Sequence, residues 1–398
     1  MSGTEALVRL LLEQSRIDRL NGLRTKGLVS GYPGSPLGGL DIALGKAKAF
    51  LDEEGIHFQP AVNEELAATA LWGSQHINLY DNPDIQGVFS MWYGKGPGLD
   101  RAMDALRHAN QGGVAPHGGM VIAVGDDPTG KSSTLAYQSD QNFHSLGIPY
   151  FFPKNVSDII PMGLEAFALS RYSGCCVGLK IVVDTADSNA VVDMSKLRPS
   201  LPILKPNSLV HVTKHDPASV RESKLHDLRL PAVQTWCENS KNVAQVYLPA
   251  KKGETRLGII GVGKIANEVN EALAGLLPDR SKKNTVAFTA INMPWPLPEK
   301  KISAMLSVVE EVLVIEEKRS FVEEQIAKIC LKQDRHILLS GKTNPDGTNL
   351  LPSYGELSLE NILNVIAARA SHHSIVLNPI EKAPVVSSLS EIPILDIT

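Results

Sequence analysis

Gly125-Asp126-Asp127-Pro128-Thr129-Gly130-Lys131-Ser132 spells the phosphate-binding pattern G-x-x-x-x-G-K-[ST] and follows an apolar run, Met120 to Val124. In such a loop, converging backbone N–H groups and a helix dipole hold anionic oxygens while the lysine reaches the outer phosphates. A second apolar run, Ile181 to Val183, ends at Asp184, where enzymes of that kind place a magnesium-binding acid. Two features oppose this chemistry. Asp126 and Asp127 put adjacent carboxylates in the loop, and Ser133 to Asp140, where a helix should start, is rich in short polar side chains with little amphipathic period. Gly261-Val262-Gly263-Lys264-Ile265-Ala266 resembles a dinucleotide-binding turn, but the acid expected about 20 residues on is missing where the next strand ends Ala290-Ile291-Asn292. Glycines also serve a tight strand-to-helix turn with no ligand present. The third constellation is Gly31-Tyr32-Pro33-Gly34-Ser35-Pro36 with Asn63-Glu64-Glu65. Asn63 suits an N-cap and Glu64 the first helical turn, so capping alone accounts for both residue types.

The elements that must position these groups are those of an α/β chain. A leading amphipathic helix near Glu5 to Leu20 is followed by apolar runs at Gly27–Ser30, Ile56–Phe58, Gly87–Met91, Met120–Val124, Pro149–Phe152 and Gly178–Val183. Helix-like stretches at Glu64–His76, Leu99–Ala109 and Val156–Arg171 lie between them. This alternation predicts a mainly parallel sheet covered on both faces. After Asp193 a proline-punctuated polar stretch reads as a connector with a helix or two. From Arg256 a second α/β run follows: strands Leu257–Ile260, Thr285–Ile291, Glu311–Ile315 and His336–Leu339, helices Ile265–Leu276, Glu299–Leu306 and Phe321–Leu331. From His372 onward, prolines and serines read as a tail or linker.

Composition narrows the function classes. With 398 residues, 43% hydrophobic and 21% charged, the chain is long enough for two or three domains with real cores. Lys plus Arg is 39 against 43 Asp plus Glu, a net charge of −4 without a basic footprint, so no nucleic acid is implied. Cys175, Cys176, Cys237 and Cys330 form no C-x-x-C pair, which argues against a zinc or iron–sulfur motif, and adjacent Cys175 and Cys176 read as buried thiols in a reducing compartment. No run of about 18 apolar residues occurs, so no membrane span is expected. A cytoplasmic protein is the expectation.

Taken together, Tyr32-Pro33-Gly34-Ser35-Pro36, Asn63-Glu64-Glu65, Gly125-Asp126-Asp127 with Ser132-Ser133, and Gln138-Ser139-Asp140 resemble the N-terminal part of indolepyruvate ferredoxin oxidoreductases. These are thiamine-diphosphate enzymes of the 2-oxoacid:ferredoxin oxidoreductase family. Gly261-Val262-Gly263, Glu310 to Glu317, Val322-Glu323-Glu324-Gln325 and Tyr354-Gly355-Glu356-Leu357-Ser358 resemble the family's transketolase-C-terminal-like domain, and Met91 to Gly98 resembles its long bacterial branch. The resemblance covers about residues 1 to 370. It implies a pyrimidine-type thiamine-diphosphate-binding domain with connector at 1–245, the transketolase-C-terminal-like domain at 250–370 and a tail or linker at 371–398.

On this resemblance the phosphate-loop match is an accident, and Glu64 matches the glutamate that hydrogen-bonds N1′ of the thiamine aminopyrimidine. That contact favours the tautomer whose 4′-nitrogen removes the C2 proton. Glu65 is the rival position. Ser35 falls near the substrate carboxylate, with Tyr32, Pro33 and Gly34 in the adjoining loop. Met91, Gly94 and Lys95 are further cofactor-contacting candidates, and Asp126, Asp127, Lys131, Ser132 and Asp140 are candidates for the substrate-pocket rim. The wider thiamine enzymes hold magnesium on a Gly-Asp-Gly motif, which this sequence lacks. The resemblance therefore implies thiamine diphosphate shared with a partner subunit or domain that carries the diphosphate site, magnesium and iron–sulfur clusters. It further implies an oligomer that uses ferredoxin, an aryl 2-oxo acid and coenzyme A. The chain would be a subunit, a portion of a fused enzyme or an inactive relative, and inactive without its partner. A P-loop NTPase and a non-catalytic thiamine-enzyme-like scaffold are the alternatives.

Overall fold

The computed structural model describes residues 1–131, 133–193, 195, 197–205, 207–248, 252–277 and 285–379. Helix α1 (Gly3–Leu20) starts on a capping box in which the Ser2 hydroxyl accepts from Glu5 N–H and the Glu5 side chain accepts from Ser2 N–H. It leads into β1 (Thr25–Gly31), α2 (Leu40–Lys46), α3 (Lys48–Glu53), β2 (Ile56–Phe58), α4 (Glu64–Ser74), β3 (Gly87–Lys95), α5 (Gly96–Gly112) and β4 (Met120–Asp126). Then come α6 (Asp140–Leu146), β5 (Tyr150–Phe151), α7 (Val156–Ser173), β6 (Val177–Val182) and α8 (Val183–Asp187). The first sheet runs β2-β1-β3-β4-β6-β5 and every pairing is parallel. All seven positions of β4 are buried, as a strand covered on both faces requires.

The connector is helical through α9 (Ala218–Lys224), a π-helical stretch (Leu225–Arg229) and α10 (Leu230–Asn239), with Pro231 accommodated in the first turn of α10. Buried Arg229 donates to the carbonyls of Val210, Asn110, Gln111 and Gly112, so its cation closes the C-terminal end of α5. The second sheet holds β7 (Ala244–Leu248), β8 (Leu257–Val262), β9 (Val286–Ile291), β10 (Glu311–Ile315) and β11 (Leu338–Ser340), in the order β11-β10-β8-β9-β7. Only β7 is antiparallel among these pairings. Helices α11 (Lys264–Leu276), α12 (Glu299–Leu306), α13 (Val322–Cys330) and α14 (Leu359–His372) belong to this half.

The mainly parallel α/β architecture is the one expected. Sequence periodicity missed α2, α3, α6, α8, α14 and β7. Glycines at 38, 39 and 45 punctuate α2 and mimic turns, α6 is only seven residues long, and β7 is an antiparallel edge strand in the stretch read as connector. Beyond Pro379 the expected tail lies outside the described residues; before it, Asn378 is tied to α11 through the carbonyls of Leu276 and Gly275. Buried Glu311, at the start of β10, accepts from Arg369 at 2.6 and 2.7 Å and contacts His373 at 2.8 Å, anchoring α14.

Side chains on β8 and β10 alternate between two apolar cores. Ile260, Val262, Val312 and Val314 join the core that also fills the first sheet, whereas Leu257, Ile259, Leu313 and Ile315 pack with α11 and α14. One hydrophobic core therefore runs through both sheets.

Candidate active site

Register places Gly31 opposite Tyr93, Lys95 opposite Gly125 and Asp126 opposite Val182, so β1, β3, β4 and β6 end along one edge. Carboxyl ends of parallel strands are where open α/β sheets bind ligands. The loop after β1 lies low over this edge because two glycines permit it. A Cβ on Gly34 would stand 2.9 Å from Lys95 Cδ, and one on Gly125 would stand 2.7 Å from Pro36 Cδ. Tyr32 and Pro33 are exposed, Gly34, Ser35 and Lys95 half-buried, and Met91 and Gly94 buried. The edge thus brings Gly34, Ser35 and Lys95 together.

Glu64 opens α4 beside them. Asn63 caps the helix, its side chain accepting from Leu66 N–H at 2.8 Å, and Ala61 N–H donates to the Gly31 carbonyl, drawing this entry segment alongside Tyr32. Glu64 is 5% exposed, whereas Glu65 faces solvent. The carbonyl of Glu64 accepts from Trp92 Nε1–H at 3.0 Å. Its side chain lies on Gly98 in the first turn of α5: a Cβ there would stand 2.9 Å from both Cγ and Oε1. Among the described residues no donor hydrogen-bonds the carboxylate. A buried carboxyl group without a partner, seated on a glycine, fits the nitrogen-bearing edge of an aminopyrimidine. Tyr32, in the loop after β1, and Val62 and Leu66, two residues to either side of Glu64 in sequence, are exposed apolar side chains.

Two pocket-rim candidates sit deeper. Lys180 Nζ lies 2.7 Å from Asp140 Oδ2 and 3.4 Å from Asp126 Oδ2, and 4.7 Å above the Phe152 ring. Tyr150 OH donates to Asp140 at 2.5 Å, while the backbone N–H and hydroxyl of Ser139 both donate to Asp126 at 2.9 Å. Burial pushes the Asp126 carboxyl above its ordinary range, and the Lys180 charge offsets only part of that. For Asp140 burial pushes upward too, but Lys180 and the Tyr150 hydroxyl outweigh it and leave it lowered.

Asp127 folds the next loop on itself by accepting from the backbone N–H groups of Lys131 and Ser133, both at 3.0 Å. Those are groups a phosphate cradle would need free, and α6 begins only at Asp140. Ser132 lies outside the described residues. Lys131 instead reaches Glu356 at 2.9 Å, and Lys264 meets Glu356 and Asp184, each at 2.5 Å. Both motif lysines thus serve an ion network that spans the two sheets. Burial alone would raise the Glu356 carboxyl, but Lys264 and Lys131 hold it at about 2 against an ordinary 4.5. A depressed carboxylate contributes stability above its unfolded value and loses it as pH falls through its folded value. Glu356→Gln is accordingly expected to flatten the loss of thermal stability between about pH 4.5 and pH 2, read from melting curves across that window.

Gly263, in the turn that resembles a dinucleotide site, has φ +54° and ψ −128°, and a Cβ on it would strike the Phe152 ring. An aromatic ring seals this turn. Gly263→Ala is expected to cost about 1–3 kcal/mol in urea denaturation through strain and overpacking together.

Sequence reasoning missed Lys180, Trp92 and Gly98 as individual residues. Their signals were a charge inside the apolar run Val177 to Val182, and glycines alternating at 94, 96 and 98 directly after a long strand. Cys175 and Cys176 are buried, as expected; Cys237 is buried too, and Cys330 is half-buried. Among the described residues no cluster of His, Cys, Asp or Glu could hold a metal ion, and no helix is long and apolar enough to cross a membrane.

A family model for the indolepyruvate oxidoreductase domain matches residues 249–385. Curated relatives cover more of the chain. Indolepyruvate oxidoreductase subunit IorA of Methanothermobacter marburgensis is 26% identical over 369 residues, 92% of this chain and 53% of that protein. Its counterpart from Pyrococcus abyssi is 25% identical over 379 residues, 92% of this chain and 51% of that protein. This chain is a relative of the indolepyruvate oxidoreductases. It spans about half the length of the curated relatives it matches. The stretch matched by the family model contains β8 to β11 and α11 to α14, the half that supplies Lys264 and Glu356.

Solved structures agree on the fold. The 2-oxoglutarate:ferredoxin oxidoreductase of Magnetococcus marinus, solved with 2-oxoglutarate, coenzyme A and succinyl-CoA, superposes with a TM-score of 0.58 at 18% identity, over 92% of this chain and 64% of that one. A split-gene transketolase, an inactive β4 tetramer, gives 0.56 at 10% identity, over 93% and 98%.

Proposed function

We propose that this chain forms the aminopyrimidine-binding half of a thiamine-diphosphate-dependent oxidoreductase that decarboxylates an aryl 2-oxo acid oxidatively. Residues 1–245 supply the cofactor-facing domain, and residues 250–370 the transketolase-C-terminal-like domain that buttresses it. A partner subunit or domain brings the diphosphate site, magnesium and iron–sulfur clusters, and the assembly passes electrons to ferredoxin and the acyl group to coenzyme A in the cytoplasm. The observation that carries the reading is Glu64: a buried carboxyl group at a sheet's carboxyl edge, seated on Gly98 and without a donor among the described residues.

Bound thiamine diphosphate supplies the nucleophilic carbon and electron sink that 2-oxo acid decarboxylation needs. Glu64 holds the proton it shares with the ring nitrogen N1′, because among the described residues no donor competes for it. Ser35 faces the substrate carboxylate, and Lys95, lying across Gly34, sets the height of that loop. Tyr32, Val62 and Leu66 become buried when the partner docks, which both provides association energy and excludes water from the carboxyl group.

The test is to tag the full chain in its native cells, identify what co-purifies, and assay 2-oxo acid-dependent reduction of ferredoxin or a viologen dye. A partner carrying Gly-Asp-Gly and cysteine clusters, together with activity on indolepyruvate, is the expected result. Absence of such a partner overturns the reading.

A further inference from the structure

We infer that Trp92 and Gly98 are positioning residues for the Glu64 carboxyl group, an inference that rests on the role proposed above for Glu64. Trp92 is fully buried and spends its single polar atom on the Glu64 carbonyl, 28 residues away in sequence, at 3.0 Å. That bond fixes the first turn of α4 to β3. The indole can lie flat there because Gly94 has no side chain: a Cβ on it would come within 2.5 Å of the ring. Gly98 acts from the other side. It sits in the first turn of α5, where the carboxyl group of Glu64 rests on its Cα, and any side chain would overlap Cγ and Oε1. Backbone is thus held by an indole and side chain by a glycine, both from the single run Trp92 to Gly98.

The glycine is informative because helix propensity argues against it. Alanine is intrinsically the better helix former, so a glycine inside α5 is unfavourable unless something needs the space. Here the neighbour that must yield is a rotatable side chain rather than backbone, so Gly98→Ala is accommodated by moving Glu64. The fold keeps its stability and the carboxyl group loses its place. Trp92→Phe keeps an aromatic ring in the same seat and removes the N–H together with part of the indole, so its melting temperature is read beside its exchange rate.

The experiment uses the complex purified on the tagged full chain and loaded with thiamine diphosphate and magnesium. It measures deuterium exchange at the cofactor C2 position by proton NMR after acid quench, with cofactor affinity and melting temperature measured alongside. Misplacing a group by about 1 Å can cost about 100-fold. Gly98→Ala and Trp92→Phe are each expected to slow exchange by about 10- to 100-fold at saturating cofactor, with affinity within about twofold and melting within a few degrees of wild type. Glu64→Gln separates the two ideas. If it slows exchange while both neighbours exchange at the wild-type rate, the positioning inference is wrong and the role of Glu64 stands. If Glu64→Gln itself exchanges normally, or no cofactor-binding complex forms, the proposed function is wrong and this inference falls with it. Should Gly98→Ala lower the melting temperature sharply, the accommodation argued here is refuted for Gly98, and Trp92→Phe decides the rest.

Discussion

Glu64→Gln is expected to lower 2-oxo acid-dependent dye reduction by the assembled enzyme about 10²- to 10⁴-fold, the usual contribution of a positioned proton-transfer group. Glutamine keeps the size and the buried seat on Gly98 but cannot hold the shared proton, so complex formation and melting should be little changed. Glu65→Gln is the control. Its side chain faces solvent one position along α4, and activity should stay within about twofold, since surface substitutions rarely matter. Equal losses from the two variants, or none from Glu64→Gln, would refute the assignment. Steady-state dye reduction at saturating indolepyruvate decides it.

Lys180→Met should be the most destabilising single change in the first sheet. Lys180 is 7% exposed and is the cation shared by Asp126 and Asp140, themselves 0% and 6% exposed. Removing one partner of a buried ion cluster leaves uncompensated charge and typically costs about 3–5 kcal/mol. Methionine keeps much of the volume, so the loss reports the charge rather than a void. Without the ammonium group burial pushes both carboxyls upward, opposed by the hydrogen bonds from Ser139 to Asp126 and from Tyr150 to Asp140. A raised folded value means stability is present at low pH and lost as pH rises through it, so the variant's deficit should shrink on acidification. Urea denaturation at pH 5 and pH 8 measures both. A variant that unfolds at the wild-type midpoint at pH 8 would show that the cluster contributes nothing.

Lys180 also illustrates what could be read from the chain alone. Helix α12 and strand β10 match their sequence assignments residue for residue, because strong apolar periodicity bounded by prolines and charges leaves little choice. The parallel architecture and the buried cysteines were legible on the same grounds. Choosing Glu64 over Glu65 was not: both satisfy the first turn of a helix, and only tertiary burial separates them. Lys131 was misleading for a related reason. Its motif describes letters, whereas a phosphate cradle is a convergence of N–H groups, and here Asp127 takes those groups for itself. Lys180 lies inside a strand whose partners come from Asp126 and Asp140, so its role depends on register and crossover that no local pattern reports. Trp92 and Gly98 were visible within a quoted run of residues, but their shared target is an element of the fold some 30 residues upstream.

Because one apolar core continues from the first sheet into the second, with the Phe152 ring lying on Gly263 and Tyr150 N–H donating to the Trp295 carbonyl, parting the two halves would wet buried rings. A jaw-like opening within this chain would carry the cost of that wetting.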